Sequence, residues 1–258
     1  MKDKIVFFDI DGTLLDHQKE LPQSAYEAVR ELQQKGCFVA IATGRAAFTF
    51  EKLREELDIH TYVSLNGQYV VHEDEVIYKN PLSLEGLEQL TNLSQTQRHP
   101  LVFLNDEGWQ VNVQGHPFVK QAVDSLKIDT APVFDPEAYK RGEKYQALLF
   151  CENEEELPYQ EKLHQFDFIR WHEYSVDVLP KGGSKALGIM KLMEALNIDG
   201  KHAYAFGDGL NDREMLEFIP NSVAMGNAVD EVKRLAKYVT EDVAEDGIYH
   251  GLKQVGLL

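Results

Sequence analysis

The tightest constraint on this chain is a rhythm in which short apolar runs recur, each followed by a stretch with helical spacing of its apolar residues. Ile5-Val6-Phe7-Phe8 ends at a Gly-containing turn, the pattern of a strand buried on both faces, and Phe38-Val39-Ala40-Ile41 and Tyr62-Val63-Ser64-Leu65 read as second and third strands. Between them, Ser24 to Gln34 sets Ala25, Ala28, Val29 and Leu32 on one helical face with Gly36 as its stop, and Phe48 to Leu57 reads as a second helix. Strands alternating with helices need crossover connections, which are right-handed, so the chain is expected to fold as an α/β protein with a doubly wound parallel sheet. Ligands of such sheets bind beyond the carboxyl ends of the strands. Asp9, Thr43 and Asn66 each fall just after an apolar run and are expected along that one edge.

From about Pro81 the rhythm changes. Helical stretches at Ser83 to Gln95, Phe118 to Leu126 and Glu154 to His164 alternate with strand-like Leu101 to Leu104, Trp109 to Val113, Tyr145 to Phe150, Phe168 to Trp171 and Val176 to Leu179, a pattern of paired strands and helices. The parallel pattern resumes at a helix from Ser184, a capping residue, to Leu196, and continues with the strand Ala203 to Phe206 and short elements around Val223 and Val239. A length of 258 residues suits one core with a sizeable insertion. The expected division is a core of residues 1–81 and 182–258 around an inserted α+β cap domain of residues 82–181.

Asp9 and Asp11 stand two residues apart at a strand end, where extended geometry sends both side chains in the same general direction. Such carboxylates repel, and a divalent cation is the natural balance. A second acidic cluster, Gly207-Asp208-Gly209-Leu210-Asn211-Asp212, follows another apolar strand. All-oxygen ligand sets of this kind suit Mg2+. The nine histidines show no metal-ligand spacing, so zinc is not expected. Asp-x-Asp alone is also the mark of a solvated turn, and the weight lies in the longer run Phe8-Asp9-Ile10-Asp11-Gly12-Thr13-Leu14 and its companions.

Taken with Ala42-Thr43-Gly44-Arg45, Lys185 and Gly207 to Asp212, that run resembles the haloacid dehalogenase superfamily in content, order and spacing. Leu65-Asn66-Gly67, Pro180-Lys181-Gly182-Gly183-Ser184-Lys185, Asp212-Arg213-Glu214-Met215-Leu216 and Ala224-Met225-Gly226-Asn227-Ala228 narrow the likeness to the Cof-type phosphatases with a large α/β cap, from residue 5 to about 250. The resemblance implies a phosphatase of small phosphorylated metabolites, of the sugar phosphate, FMN or pyridoxal phosphate class. Carried over by position, it makes Asp9 the nucleophile that becomes an aspartyl-phosphate and Asp11 the acid and then the base. Asp9, the backbone carbonyl of Asp11 and Asp208 would hold Mg2+, with Asp212 a further ligand or a support behind it. Thr43, Gly44, the backbone N–H of Ile10, Asn211 and Lys185 would hold the phosphoryl oxygens. Lys185 is preferred to Lys181 because it begins a helix and matches the second lysine of the family's pattern, although Ala186 replaces the glycine common after it. Arg45 would meet substrate or cap, or pair with a surface acid; Asn66 would face substrate, or simply make an Asn-Gly turn.

The count of 26 Lys and Arg against 43 Asp and Glu gives a net charge of −17, which repels nucleic acid and acidic membrane surfaces and requires a locally positive phosphate site. No stretch approaches the roughly 20 apolar residues of a membrane span. Met1-Lys2-Asp3-Lys4 leads directly into a strand and leaves no room for a signal peptide ahead of Asp9. Cys37 and Cys151 sit in apolar runs as buried, reduced thiols, so a cytoplasmic location is expected, with monomer and weak dimer both open. The rival to a phosphatase is a phosphoryl-accepting signalling module like a response-regulator receiver, or a phosphomutase-like transferase. Receivers lack both the Asp-x-Asp-Gly-Thr run and an insertion of this size.

Overall fold

Ile5–Phe8 forms β1, wholly buried, in the computed structural model, which describes residues 3–258. It is followed by α1 (Gln23–Gln34), β2 (Phe38–Ala42), α2 (Glu51–Leu57), β3 (Tyr62–Ser64), β4 (Tyr69–His72) and β5 (Glu75–Lys79). Next come α3 (Leu84–Gln97), β6 (Leu101–Leu104), β7 (Trp109–Val111), α4 (Pro117–Ser125), β8 (Val133–Phe134), β9 (Gln146–Leu149), α5 (Leu157–Lys162), β10 (Phe166–His172) and β11 (Ser175–Pro180). The chain ends with α6 (Lys185–Leu196), β12 (Ala203–Gly207), α7 (Arg213–Phe218), β13 (Asn221–Ala224), α8 (Asp230–Leu235), β14 (Tyr238–Val239) and α9 (Gly247–Gln254). These elements divide into two compact units. One takes the chain up to Gly44 with Glu51–Tyr78 and Ser184–Leu258, and the other takes Arg45–Phe50 with Lys79–Gly183.

The first unit is built on an eight-stranded sheet of order β14-β13-β12-β1-β2-β3-β4-β5. From β14 to β3 every pairing is parallel, the arrangement required by the helical crossovers. Register places Phe8 opposite both Phe206 and Ile41, so Asp9 comes level with the start of the 207–212 cluster and close to Thr43. Buried side chains fix that register, since a one-residue slip would turn each strand's side chains to the opposite face. The sheet then departs from the all-parallel expectation. Tyr69–His72 returns antiparallel to β3, and β5 follows across a two-residue turn in which Glu73 and Asp74 have φ of 46° and 64°. These values suit the tight hairpin turns whose twist matches that of the strands. β5 is exposed along most of its length, which removes the apolar signal that a buried strand carries.

The second unit has a six-stranded sheet, β10-β11-β9-β6-β7-β8, in which β7 and β8 are parallel and the other pairs antiparallel. Leu87 and Leu90 of α3 and Tyr159 of α5 join Phe103, Leu149 and Val176 in its apolar core. The Arg170 guanidinium donates to both carboxylate oxygens of Glu156 at 3.0 and 2.6 Å and to three backbone carbonyls at 3.2 Å or less, tying β10 to the start of α5. Two expected helices are shorter here than the sequence pattern implied. Ala47–Thr49 is a single 3-10 turn ahead of α2, and the helix expected over Glu154 to His164 contracts to α5 because Glu154 has φ of 72°, outside helical space. Among the described residues, no helix is long and apolar enough to cross a membrane.

α6 packs directly on the backbone of the turn after β3. A Cβ placed on Gly188 would lie 2.7 Å from the Gly67 Cα and 2.6 Å from a Val63 methyl. Replacing glycine with alanine inside an open helix gains ~1 kcal/mol, whereas overfilling a packed contact costs ~1–3 kcal/mol. The neighbour here is backbone and cannot swing aside, so Gly188→Ala is expected to lower the urea unfolding midpoint. An alanine variant more stable than the parent would show that α6 has room the geometry denies.

Candidate active site

The site grows from the carboxyl ends of β1 and β12. Asp9 follows β1 with its N–H donating to the Phe206 carbonyl at 3.0 Å, and the residue is 5% exposed. Lys185, the first residue of α6 and 1% exposed, donates from Nζ to Asp9 Oδ1 at 2.5 Å and to Asp212 Oδ1 at 2.7 Å. Ser184 accepts the N–H of Leu187 and so begins the helix at the residue that places the ammonium. Asp212 is fully buried, and its second oxygen accepts the N–H groups of Asp208 and Gly209, each at 2.9 Å. Asp208 is held through Oδ1 by the Thr13 hydroxyl at 2.9 Å. Of the two candidate lysines, Lys185 is the one beside Asp9; Lys181 pairs with Asp167 in the second unit.

Carboxylate oxygens of Asp9, Asp208 and Asp212 lie within 4.8 Å of one another, and these are the only three-acid or thiol-imidazole groupings of that kind among the described residues. One ammonium does not offset three anions in a buried space. Burial, with Asp212 and Asp11 nearby, pushes Asp9 up to about 7 even though Lys185 pulls it down. Burial and the charges of Asp9 and Asp212 push Asp208 up to about 8. For Lys185, burial works against the charge, yet Asp212 and Asp9 hold the ammonium well above the ordinary lysine range. An all-oxygen cluster with surplus negative charge is the chemistry of a hard divalent cation site, and the residues present fit Mg2+.

A second grouping lies at the ends of β2 and β3. Thr43, 1% exposed, receives the Asn66 N–H on its carbonyl at 3.0 Å and donates its own N–H to Val63 at 2.8 Å. Asn211 donates to the Asn66 side-chain oxygen at 3.0 Å, and a Cβ on Gly44 would touch both amides, so Thr43, Gly44, Asn66 and Asn211 form one cradle. Leu65 and Asn66 both have φ of 52°, an uncommon conformation for a branched side chain and the kind of local cost that recurs at functional sites. Ile10 is buried between the groups, with its carbonyl receiving the Leu15 N–H at 2.8 Å.

The side chains of two further predicted residues make other contacts. Asp11 is outside the three-acid cluster, and its carboxylate receives Lys19 Nζ at 2.6 Å. Arg45 belongs to the second unit, where it donates to the Leu126 carbonyl at 3.1 Å. Lys19 was missed in the sequence because it sits in a surface-like turn closed by Asp16, which accepts the N–H groups of Gln18 and Glu20. Asn227, also unassigned, donates to Asp208 at 3.2 Å.

A family model described as haloacid dehalogenase-like hydrolase matches residues 6–252. The chain belongs to this family. YkrA of Bacillus subtilis strain 168 is 48% identical over 258 residues, which are 100% of each chain. A crystal structure from Geobacillus kaustophilus HTA426 is similar with a TM-score of 0.91 at 55% identity, covering 99% of both chains. The subclass IIB sugar phosphatase BT4131 gives a TM-score of 0.90 at 32% identity, covering 99% of this chain and 100% of that one. This haloacid dehalogenase-like chain is accordingly an enzyme of the Cof-type phosphatase class, with an α/β core and an additional α+β unit. The receiver-like alternative finds no support in a family match of this length.

The raised carboxyls give the metal-free enzyme a definite pH response. Both groups ordinarily titrate near 3.8 but hold their protons to about 7 and about 8 when folded, so the folded chain binds more protons than the unfolded chain across that interval. Their contribution to stability is therefore present at low pH and lost as pH rises through 7 and 8. A cation that replaces those protons should stabilise the enzyme more at pH 8.5 than at pH 5.5. Thermal unfolding with and without Mg2+ at the two pH values measures this directly. An equal shift at both would mean that these acids do not bind the ion.

Proposed function

We propose that this enzyme hydrolyses phosphate monoesters of small metabolites, sugar phosphates foremost, in two steps through an aspartyl-phosphate on Asp9, with Mg2+ as its ion. The observation that carries the reading is the buried Asp9–Lys185–Asp212 bridge beside Asp208, which holds the motif nucleophile in one position at the end of β1. The similarity to a sugar phosphatase supports the substrate class. Cys37 and Cys151, both buried and neither in a disulfide, support a cytoplasmic setting. The second unit, together with the chain that leads into it, is read as the cap.

In the first step an Asp9 carboxylate oxygen attacks phosphorus in line, the bond to the ester oxygen breaks, and Asp11 delivers a proton to that oxygen. In the second, Asp11 takes a proton from water, the water oxygen attacks phosphorus, and the bond to Asp9 breaks to release inorganic phosphate. Lys185 keeps Asp9 from turning away and contributes positive charge to the phosphoryl oxygens. Thr43, Gly44, Asn211 and the N–H of Ile10 supply donors to the same oxygens. A divalent ion held by Asp9, Asp208 and the Asp11 carbonyl supplies the charge that lets an anionic nucleophile meet an anionic ester. Both oxygens of Asp212 are taken by Lys185 and by the N–H groups of Asp208 and Gly209, which favours its role as a support behind that ion.

Purified enzyme with Mg2+ is expected to release phosphate from hexose phosphates in a screen that includes FMN, pyridoxal phosphate and para-nitrophenyl phosphate. Asp9→Asn and chelation should each abolish turnover; full activity under either condition sinks the mechanism. Asp11→Asn offers a finer test. Removing a general acid costs about 10²- to 10⁴-fold, but nitrophenolate leaves without a proton. The variant should therefore lose much more activity on a hexose phosphate than in the first turnover of the nitrophenyl ester, and equal losses in a single-turnover assay would remove Asp11 from the acid role.

A further inference from the structure

The loop Ala224-Met225-Gly226-Asn227-Ala228 follows β13 and has no role in the steps above. The structure sets its Asn227 at the junction of three segments distant in sequence. Asn227 Nδ2 donates to the Gly12 carbonyl at 2.8 Å and to Asp208 Oδ2 at 3.2 Å, while Asn227 Oδ1 accepts the Val243 N–H at 3.0 Å. A backbone N–H only donates and a backbone carbonyl only accepts, so these two partners fix which way the amide faces. Toward Asp208 it presents N–H and nothing else.

We propose that Asn227 is the positioning residue for Asp208 as a metal ligand, holding it at a set distance from the nucleophile loop; the inference rests on the metal-dependent reading of the site. Asp208 is gripped at both oxygens, by Thr13 at Oδ1 and by Asn227 at Oδ2, which stops the carboxylate from rotating. The same amide ties down the peptide of Gly12, three residues after Asp9, so one side chain spans the loops that follow β1 and β12. The amide itself has no slack. Gly226 donates to the Glu241 carbonyl at 2.8 Å, and a Cβ at Gly226 would come within 2.4 Å of the Asp242 nitrogen, so the loop lies flat against the segment that supplies the Val243 N–H. Mg2+ demands near-octahedral ligands at short distances and tolerates misplacement poorly. Residues that hold ligands in place are therefore felt in affinity.

The test is calorimetric titration of the metal-free full chain with Mg2+ alone, in the parent, Asn227→Ala and Asn227→Leu forms, with folding verified by circular dichroism. Loss of a supporting hydrogen bond behind a metal ligand weakens binding by ~10- to 100-fold, and that range is expected for both variants. In the hydrolysis assay the Mg2+ concentration for half-maximal rate should rise by a similar factor while KM for the ester stays within about twofold, a split that general loosening of the fold would not produce. Folded variants that bind Mg2+ within twofold of the parent overturn the proposal and leave the phosphatase reading intact. Variants that fail to fold overturn it as well, since Asn227 would then serve the fold. A parent chain that binds no Mg2+ removes both the proposal and the metal-dependent reading beneath it.

Discussion

Everything at the site depends on one buried ammonium. Lys185 has no solvent to stabilise its charge, and its two carboxylate partners, Asp9 and Asp212, are equally withdrawn from water. Desolvating three charges costs more than an exposed ion pair returns, and such a cluster persists only where the hydrogen bonds are complete. Here the ammonium bonds both acids, Asp212 receives two backbone N–H groups besides, and the Asp9 backbone is anchored to β12 through its N–H. The bridge also links residues 176 apart in the chain, joining the strand before the second unit to the helix after it. Breaking it would leave two carboxylates buried without a counter-charge. The geometry of the candidate site and the joining of the first unit's two stretches of chain are thus one interaction.

The imbalance of that cluster explains the ion. With Asp208 counted, three carboxyls share one ammonium, and the surplus appears as two carboxyls holding protons near neutral pH. A carboxyl that keeps its proton is a poor nucleophile, which bears on the role proposed for Asp9. In the proposed mechanism a divalent cation held by Asp9 and Asp208 would take the place of those protons and supply positive charge toward the incoming ester. With a net charge of −17 on the whole chain and one ammonium against three carboxyls at this edge, the protein's own groups leave the site negative.

How much of this was legible follows from the range of the interactions. Strands β1, β2 and β12 were readable because burial on both faces writes itself as an uninterrupted apolar run, and parallel register then carries Asp9, Thr43 and Asp208 to one edge without further information. The hairpin of β4 and β5 was not readable, since its outer strand is exposed and its turn uses Glu73 and Asp74 rather than the glycine or asparagine that marks such turns. The left-handed backbone at Leu65 and Asn66 lies where the turn packs against α6 and has no local signature at leucine. Lys19 and Asn227 were invisible for a different reason. Each acts through a partner fixed only by the folded chain, and nothing in the residues beside Asn227 announces a carbonyl 215 positions earlier.

The division of the chain then bears on how such an enzyme diversifies. Asp9, Asp11, Thr43, Gly44, Asn66, Lys185, Asp208, Asn211 and Asp212 all lie in the first unit, and Arg45 alone among the predicted site residues lies in the second. The acids of the cluster are coupled, since the charge of Asp212 helps to raise both Asp9 and Asp208. The second unit is under no such coupling. Its own core, of Leu87, Phe103, Leu149, Tyr159 and Val176, and its own partly buried ion pair between Arg170 and Glu156 stabilise it without drawing on the candidate site. Surface changes on that unit can therefore accumulate while the buried cluster of the first unit is preserved.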